Sequence, residues 1–347
     1  GRPGPPVQLR AMTGEQFKAY AVQRALQLGF AAAGVARAGA APHGDAFRRW
    51  LAAGRHASMA YMAEHVDQRC DVLVAWPWAR SVLCLAASYA PRAERPASIA
   101  RYARGRDYHR VLKARCRTLA DELVEREPGL RTRICVDTAP LLERDWAARA
   151  GLGWIGRNAC LIHPTRGSYL LLAEIVLSAE LPPDAPMEDR CGDCRACLDA
   201  CPNGALVAPR ELDARRCNSW ATIEHRGGLD GDAFDTGGSV FGCDLCQQAC
   251  PHNRDLPPGE IDDLAAPGPL AAVDVGTILA WSPADWDAAT RGSAARRADH
   301  ASFLRNAALA AGRTRLAAAR DRLEALAGHD DPAVRAAARW ALERLDG

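Results

Sequence analysis

Cys191-Gly-Asp-Cys194-Arg-Ala-Cys197-Leu-Asp-Ala-Cys201-Pro202 is the stretch on which the reading of this chain turns. Three cysteines separated by two residues each, then a fourth after three more and a proline, is the bacterial spacing for a [4Fe–4S] cubane. Three thiolates hold one cluster and the fourth reaches a neighbouring one. Zinc also takes Cys-x-x-Cys pairs, but this run exceeds what one tetrahedral ion needs. Downstream, Cys243-Asp-Leu-Cys246-Gln-Gln-Ala-Cys250-Pro251 repeats the pattern with one ligand missing, because Ala249 stands three residues after Cys246. Cys217 is the only cysteine between the two runs and is the candidate for the missing thiolate. The crossover then predicts Cys191, Cys194, Cys197 and Cys250 on one cubane, and Cys201, Cys217, Cys243 and Cys246 on the other.

The remaining five of the 13 cysteines, Cys70, Cys84, Cys116, Cys135 and Cys160, are scattered among apolar neighbours and read as ordinary buried thiols. An odd count with no charged-then-apolar leader argues against a secreted disulfide framework. No apolar run approaches the roughly 20 residues of a spanning helix, so a soluble, cytoplasmic protein is expected. Gly1-Arg-Pro-Gly-Pro-Pro6 reads as a flexible lead-in. Net charge is +2 over 347 residues, so any polyanionic partner must be met by a local patch. Lys18 and Lys113 are the only lysines, a bias that fits codon usage and also suits bidentate phosphate contacts by arginine.

Outward from the cysteines, Pro182-Pro-Asp-Ala-Pro186 and Leu256-Pro-Pro-Gly259 bracket the segment. Before it, helical stretches such as Val111 to Glu125 alternate with apolar runs at Ser81 to Leu85, Arg133 to Val136 and Tyr169 to Leu172 that read as buried strands. This predicts an α/β domain over residues 1–185, a two-cluster segment over 186–262 and an all-α region over 263–347. In the last, Phe303 to Leu309 and Val334 to Leu342 have helical periodicity, and Asp330-Asp-Pro332 starts a helix after Gly328 ends another. Tandem helix pairs suggest a short HEAT-like solenoid, with a plain helical cap as the alternative. Two clusters in series carry single electrons and do no substrate chemistry. With 190 residues ahead of Cys191, an enzyme with a second cofactor is expected.

Gly151-Leu-Gly-Trp-Ile-Gly156 matches a dinucleotide fingerprint but follows a helical stretch, so it reads as a helix C-cap entering a tight loop. Asp137, in Val136-Asp-Thr-Ala-Pro140, stands where a strand gives way to a helix. It is the acid candidate, with a helix N-cap as the alternative role. Packing against an apolar cofactor would raise its pKa and suit it to proton donation. From Arg101 to Arg117, eight basic side chains and two tyrosines suit RNA phosphates and unpaired bases, or else form a solvated helix face.

Together these segments resemble the epoxyqueuosine reductase family. The resemblance rests on Arg101-Tyr-Ala-Arg-Gly-Arg-Asp-Tyr-His109, Val136-Asp-Thr-Ala-Pro-Leu-Leu-Glu-Arg144 and Ala150-Gly-Leu-Gly-Trp-Ile-Gly-Arg-Asn158. Gly167-Ser168, Asp213-Ala-Arg-Arg-Cys217 and Gly242-Cys-Asp-Leu-Cys-Gln247 add to it. It implies a cobalamin-binding, reductive-dehalogenase-like α/β domain, a ferredoxin-like segment with two [4Fe–4S] clusters, and a HEAT-like domain that helps hold tRNA. It further implies reduction of epoxyqueuosine to queuosine in the tRNA anticodon loop, with Asp137 as proton donor. Trp154, Arg157, Asn158, Leu161, Ser168, Ser219, Cys243 and Asp244 match positions lining the corrin. Arg101, Arg104, Arg106, Tyr108, His109 and Arg110 would face tRNA. Two departures stand out: Ala63-Glu64 occupies a place where the family often has arginine, and Trp220 one where tyrosine is usual.

Two other readings compete. A reductive dehalogenase-like enzyme would share corrinoid and clusters but has no need of the C-terminal helices. An electron-transfer or RNA-binding module would leave Asp137 and the 151–156 loop without purpose. The resemblance makes a monomer the default and leaves the electron donor unidentified.

Overall fold

Ser81-Val-Leu-Cys-Leu-Ala-Ala-Ser88 is buried at every position, so the strand it forms must be covered on both faces. The computed structural model describes residues 12–92, 98–266 and 268–347. The lead-in at 1–6 lies outside them. In it, β1 (Ala32–Arg37), β2 (Ser81–Ser88), β3 (Thr132–Cys135), the short β4 (Trp154–Ile155) and β5 (Leu161–Ile162), and β6 (Leu170–Leu177) follow in chain order. The main sheet runs β1-β2-β6-β3 with every pairing antiparallel, and β4 and β5 make a separate hairpin.

Alternate side chains of the central strands divide between two cores, as the pleat requires. Leu83, Leu85, Ala173 and Ile175 pack with Phe17, Ala21 and Ala25 of the Gly14–Gln27 helix and with Leu112, Leu119 and Leu123 of the Tyr108–Arg126 helix. Val82, Cys84, Leu172 and Val176 pack on the other face with Trp146 and Ala147 of the Glu143–Arg149 helix. The domain is therefore a helix, sheet, helix sandwich. The expected strands coincide with β2, β3 and β6 except that Val136 and Tyr169 lie one residue outside them, the Val111 to Glu125 helix lies within Tyr108–Arg126, and Cys70, Cys84, Cys116 and Cys135 are buried whereas Cys160 is only partly so.

A third core joins the C-terminal helices to the middle of the chain. Phe303, Ala307 and Leu309 of the His300–Arg313 helix share it with Ile99, Ile223, Val240 and Phe241. That helix packs against Val275–Leu279 and Pro332–Asp346, and the latter also meets Arg320–Leu326. Asp331 caps the last helix with Pro332 in its first turn, as its sequence predicts. No helix of the described residues is long and apolar enough to cross a membrane.

The His300–Arg313 helix is tied to the 218–227 segment through a buried charge. The Arg305 guanidinium, 1% exposed, donates to the carbonyls of Ala221, His225 and Gly227, while the Asn306 amide donates to those of Thr222 and Val240. Arg305→Ala leaves those buried acceptors without their donor. It should lower the unfolding free energy by about 3 kcal/mol, measured by chemical denaturation.

Candidate active site and cluster-binding segment

The backbone leaves β3 at Cys135 and turns sharply, and Asp137 takes a left-handed conformation (φ 57°) that non-glycine residues rarely adopt. Its amide donates to Glu143 Oε1 at 2.5 Å. Glu143 opens the next helix, whose N-cap position is Leu142. Asp137 therefore does not cap that helix, because the five residues 138–142 intervene. Its side chain projects outward, 53% exposed.

His109, near the start of the Tyr108–Arg126 helix, reaches Asp137. Its Nε2 lies 3.0 Å from Asp137 Oδ2, and its Nδ1 lies 2.8 Å from Asp107 Oδ1. Tyr108 stacks on His109 with ring centroids 4.0 Å apart and also hydrogen-bonds Asp137. The His109 hydrogen bond holds the Asp137 carboxyl below the usual aspartate range, and this outweighs burial. In the protein alone, a cationic neighbour stabilises the carboxylate more than desolvation penalises it. His109 is shifted upward by the same contact, first by Asp137 and then by Asp107. Burial, with the Asp137 charge adding to it, pushes Glu143 up to about 7.

The 151–156 glycines behave as read. Ala150 ends a helix, Gly151 turns out of it (φ 74°), and a Cβ on Gly153 would sit 2.1 Å from the Ile162 carbonyl oxygen, so β4 can lie this close to β5 only with glycine there. In the loop between β4 and β5, Asn158 is buried and its Nδ2 has no partner, and Arg157 Nε is likewise buried without one. Arg157 anchors its other end by donating to the Gly192 carbonyl. Leu161 is buried in β5. Ser168 takes its place through Asn253 and Gln247: its amide donates to Asn253 Oδ1 at 2.7 Å and its hydroxyl to Gln247 Oε1 at 2.9 Å. Ser219 lies in the Asn218–Ile223 helix that Cys217 leads into.

The folding of the cysteine segment draws residues far apart in sequence together. Trp154 of β4 donates to Cys191 Sγ at 3.4 Å and packs with Cys250 and Ile162. Cys191 and Cys194 raise the pKa of Cys250 through their proximity, as Cys250 does for Cys197. Cys217 is raised by burial and by Cys201, and Cys243 is pushed up to about 11 by burial with Cys217 adding. Further donors point at the sulfurs, from Ala205 N to Cys201 and from Asn218 Nδ2 to Cys243. Among the described residues no three ligating side chains converge as tightly as around a single metal ion.

The basic stretch divides. Arg101 is not on the outer face expected of a tRNA contact: it is buried, its amide and guanidinium both reach Asp244 Oδ2, and it lies over the Tyr169 ring. Asp244 is itself buried in that pair. Arg104 donates to the Ile99 carbonyl. Tyr108 and His109 turn to Asp137, whereas Arg106 and Arg110 are 74% and 85% exposed. Where arginine is usual, Glu64 lies in a loop whose carbonyls, at Tyr61 and Glu64, are bound by Arg69. Arg297, which pairs with Glu224, covers the Tyr61 ring instead, and Trp220 donates to Ser58. Arg297 and Glu143 were absent from the candidates. Only Glu143 had a signal, its place in the Val136 to Arg144 motif.

Comparison with known proteins agrees with this arrangement. Residues 69–138 match the family model described as epoxyqueuosine reductase QueG, DUF1730, and residues 190–253 match the 4Fe-4S double cluster binding domain. The chain is 41% identical over 297 residues to the epoxyqueuosine reductase of Synechococcus sp. strain RCC307, covering 82% of this chain and 91% of that protein. Against that of Xanthomonas campestris pv. campestris it is 39% identical over 309 residues, covering 85% and 86%. A crystal structure of epoxyqueuosine reductase with an epoxyqueuosine-modified tRNA-Tyr stem loop superposes with TM-score 0.86 at 28% identity, covering 96% of this chain and 92% of that one. The Bacillus subtilis enzyme with its aspartate-bearing catalytic loop swung out of the active site gives 0.83 at 28% identity, covering 96% and 91%. With similarity running through the Asp137 region, the cysteine segment and most of the remaining chain, this protein is an oxidoreductase that belongs to the epoxyqueuosine reductase family.

Proposed function

We propose that this chain reduces epoxyqueuosine to queuosine in the anticodon loop of tRNA, with Asp137 delivering a proton to the epoxide oxygen. The observation that carries the reading is the Asp107, His109, Asp137 chain of contacts. The tRNA stem loop bound to a relative of 28% identity supports the substrate.

The orphaned Asn158 Nδ2 and Arg157 Nε are buried donors that a polar cofactor rim would satisfy, so the residues of the 154–161 loop, with Ser168, Ser219 and the Cys243-Asp244 backbone, fit cobalamin. Bound there and reduced, cobalamin supplies a strong nucleophile or reductant. Two [4Fe–4S] clusters on the eight cysteines supply the one-electron path to it. The protein's own part is positioning and proton supply. The contact favours a carboxylate on Asp137 and a proton on His109, because each shifts the other toward its charged form. As the substrate's oxygen gains negative charge, the proton moves from His109 Nε2 through Asp137 to that oxygen. Asp107 keeps the imidazole ring oriented and stabilises its charge. Arg106, Arg110, Lys113 and Arg117 lie exposed along the same stretch and suit phosphate contacts, weakening with salt. We take 1–185, 186–262 and 263–347 as the working division of labour: corrinoid domain, cluster segment, and a HEAT-like helical domain aiding tRNA.

Reconstituted anaerobically with iron, sulfide, cobalamin and a reductant, wild-type protein should convert epoxyqueuosine in tRNA to queuosine, read by mass spectrometry of nucleosides. Asp137→Ala should form little product while binding the same tRNA; equal activity would remove Asp137 from the chemistry. His109→Gln should slow single turnover by about 100-fold or more. The sign of the pH effect follows from the shifts. A raised His109 holds its proton below its elevated pKa and loses it as pH rises through it, so wild-type activity falls on the alkaline side and the Gln variant lacks that titration. Cys217→Ala should cut bound iron from about eight to about four atoms per chain, measured by colorimetric iron analysis.

A further inference from the structure

Reduction of an epoxide to an alkene consumes two electrons and two protons and releases the oxygen as water. The His109 and Asp137 contact offers one proton, carried on the imidazole when His109 is charged. Beneath it lie two carboxyls with no part in that transfer, Glu143 and Glu174.

Glu174 is fully buried in β6, and neither of its carboxyl oxygens has a hydrogen-bond partner among the described residues. It pairs in register with Cys84 of β2 and with Cys135, two residues before Asp137. Its side chain shares the sheet face of Leu172 and Val176, which the Glu143–Arg149 helix covers. On its face it meets Glu143 and the Cys84 and Cys135 thiols, with the Cys116 thiol across the sheet, and all three thiols are raised by burial and so uncharged. Arg149 and Asp184 reach only the surroundings of Cys84. A carboxylate here would have neither a bonded donor nor a contacting cation, so Glu174 stays protonated. Glu143 is faced by Asp137, His109, Arg144 and Glu174. Arg144, the adjacent cation, is turned to the Ala159 carbonyl. Glu143 Oε1 touches the Asp137 amide directly.

We propose that Glu143, backed by the neutral Glu174, stores the second proton that epoxide reduction consumes and passes it to Asp137 once that carboxyl has given up the first. This rests on the function proposed above. In the first transfer one epoxide C–O bond breaks and its oxygen becomes a hydroxyl with the His109 and Asp137 proton. In the second the remaining C–O bond breaks, and the Glu143 proton, through Asp137, completes the departing water. Two electrons, entering singly from a low-potential one-electron donor by way of the clusters, complete the carbon–carbon double bond. Solvent reprotonates Glu143 between turnovers.

Glu143→Gln tests this, because glutamine still accepts the Asp137 N–H but holds no acidic proton. In reconstituted holoenzyme, infrared spectroscopy should show a protonated carboxyl that shifts in deuterium oxide and titrates near pH 7. It should be missing in E143Q, whose iron content and circular dichroism match wild type. Single-turnover queuosine formation at pH 6 should fall about tenfold or more in E143Q, and the wild-type decline across neutral pH attributable to Glu143 should vanish. Glu143→Asp, which restores an acid, should recover part of the rate. A Glu143 already ionised at pH 6, or an E143Q rate equal to wild type, overturns the proposal while leaving the proposed function intact. A wild-type enzyme that forms no queuosine brings down both, and is told apart because the failure is then not confined to the variant.

Discussion

The site depends on one buried ion pair. Arg101 opens the stretch that leads to His109, and Asp244 stands in the second cysteine run between Cys243 and Cys246. Both are nearly inaccessible, and the Arg101 amide and guanidinium converge on Asp244 Oδ2. Two charges in such surroundings are tolerable only together, since either left alone would keep its full desolvation penalty. The contact therefore links the helical start that carries His109 to the turn that carries cluster cysteines. Tyr169 lies under the same guanidinium, and its neighbour Ser168 bonds Gln247 and Asn253 from the second cysteine run. Three segments distant in sequence meet around one charge. The second cysteine run and the stretch leading to His109 are thereby fixed to one another.

That economy explains why part of the molecule was legible in the sequence and part was not. The cluster ligands declare themselves because cubane geometry demands thiolates at short, fixed separations, and few other structures impose that demand. β2 and β6 declare themselves because strands covered on both faces must be largely apolar, with Glu174 the ionisable exception in β6. β1 does not: Ala32-Ala-Gly-Val-Ala-Arg37 has a single β-branched residue and becomes a strand through its pairing with β2. Arg101 looked like Arg106 because charge patterning carries no information on burial. Its partner lies 143 residues away. The same limit applies to Asp137. Its motif marks it as an acid, yet the direction of its shift is set by a histidine 28 residues earlier, brought near by the fold.

The left-handed backbone at Asp137 costs about 1–3 kcal/mol unless its surroundings hold it. Three contacts do so: Glu143 on the amide, and His109 and Tyr108 on the carboxyl. The Glu143 contact persists whether that acid is charged or neutral, since both forms offer an acceptor oxygen. The His109 contact does not stay equal, because its strength comes from opposite charges and weakens once the imidazole gives up its proton. On the proton route proposed above, transfer to substrate removes part of what keeps the Asp137 turn in place. A relative has been seen with its catalytic loop swung out, which fits a turn held by so few bonds. On that route, giving up the proton and weakening the hold on the turn would be the same event, and recharging His109 would restore the contact to Asp137.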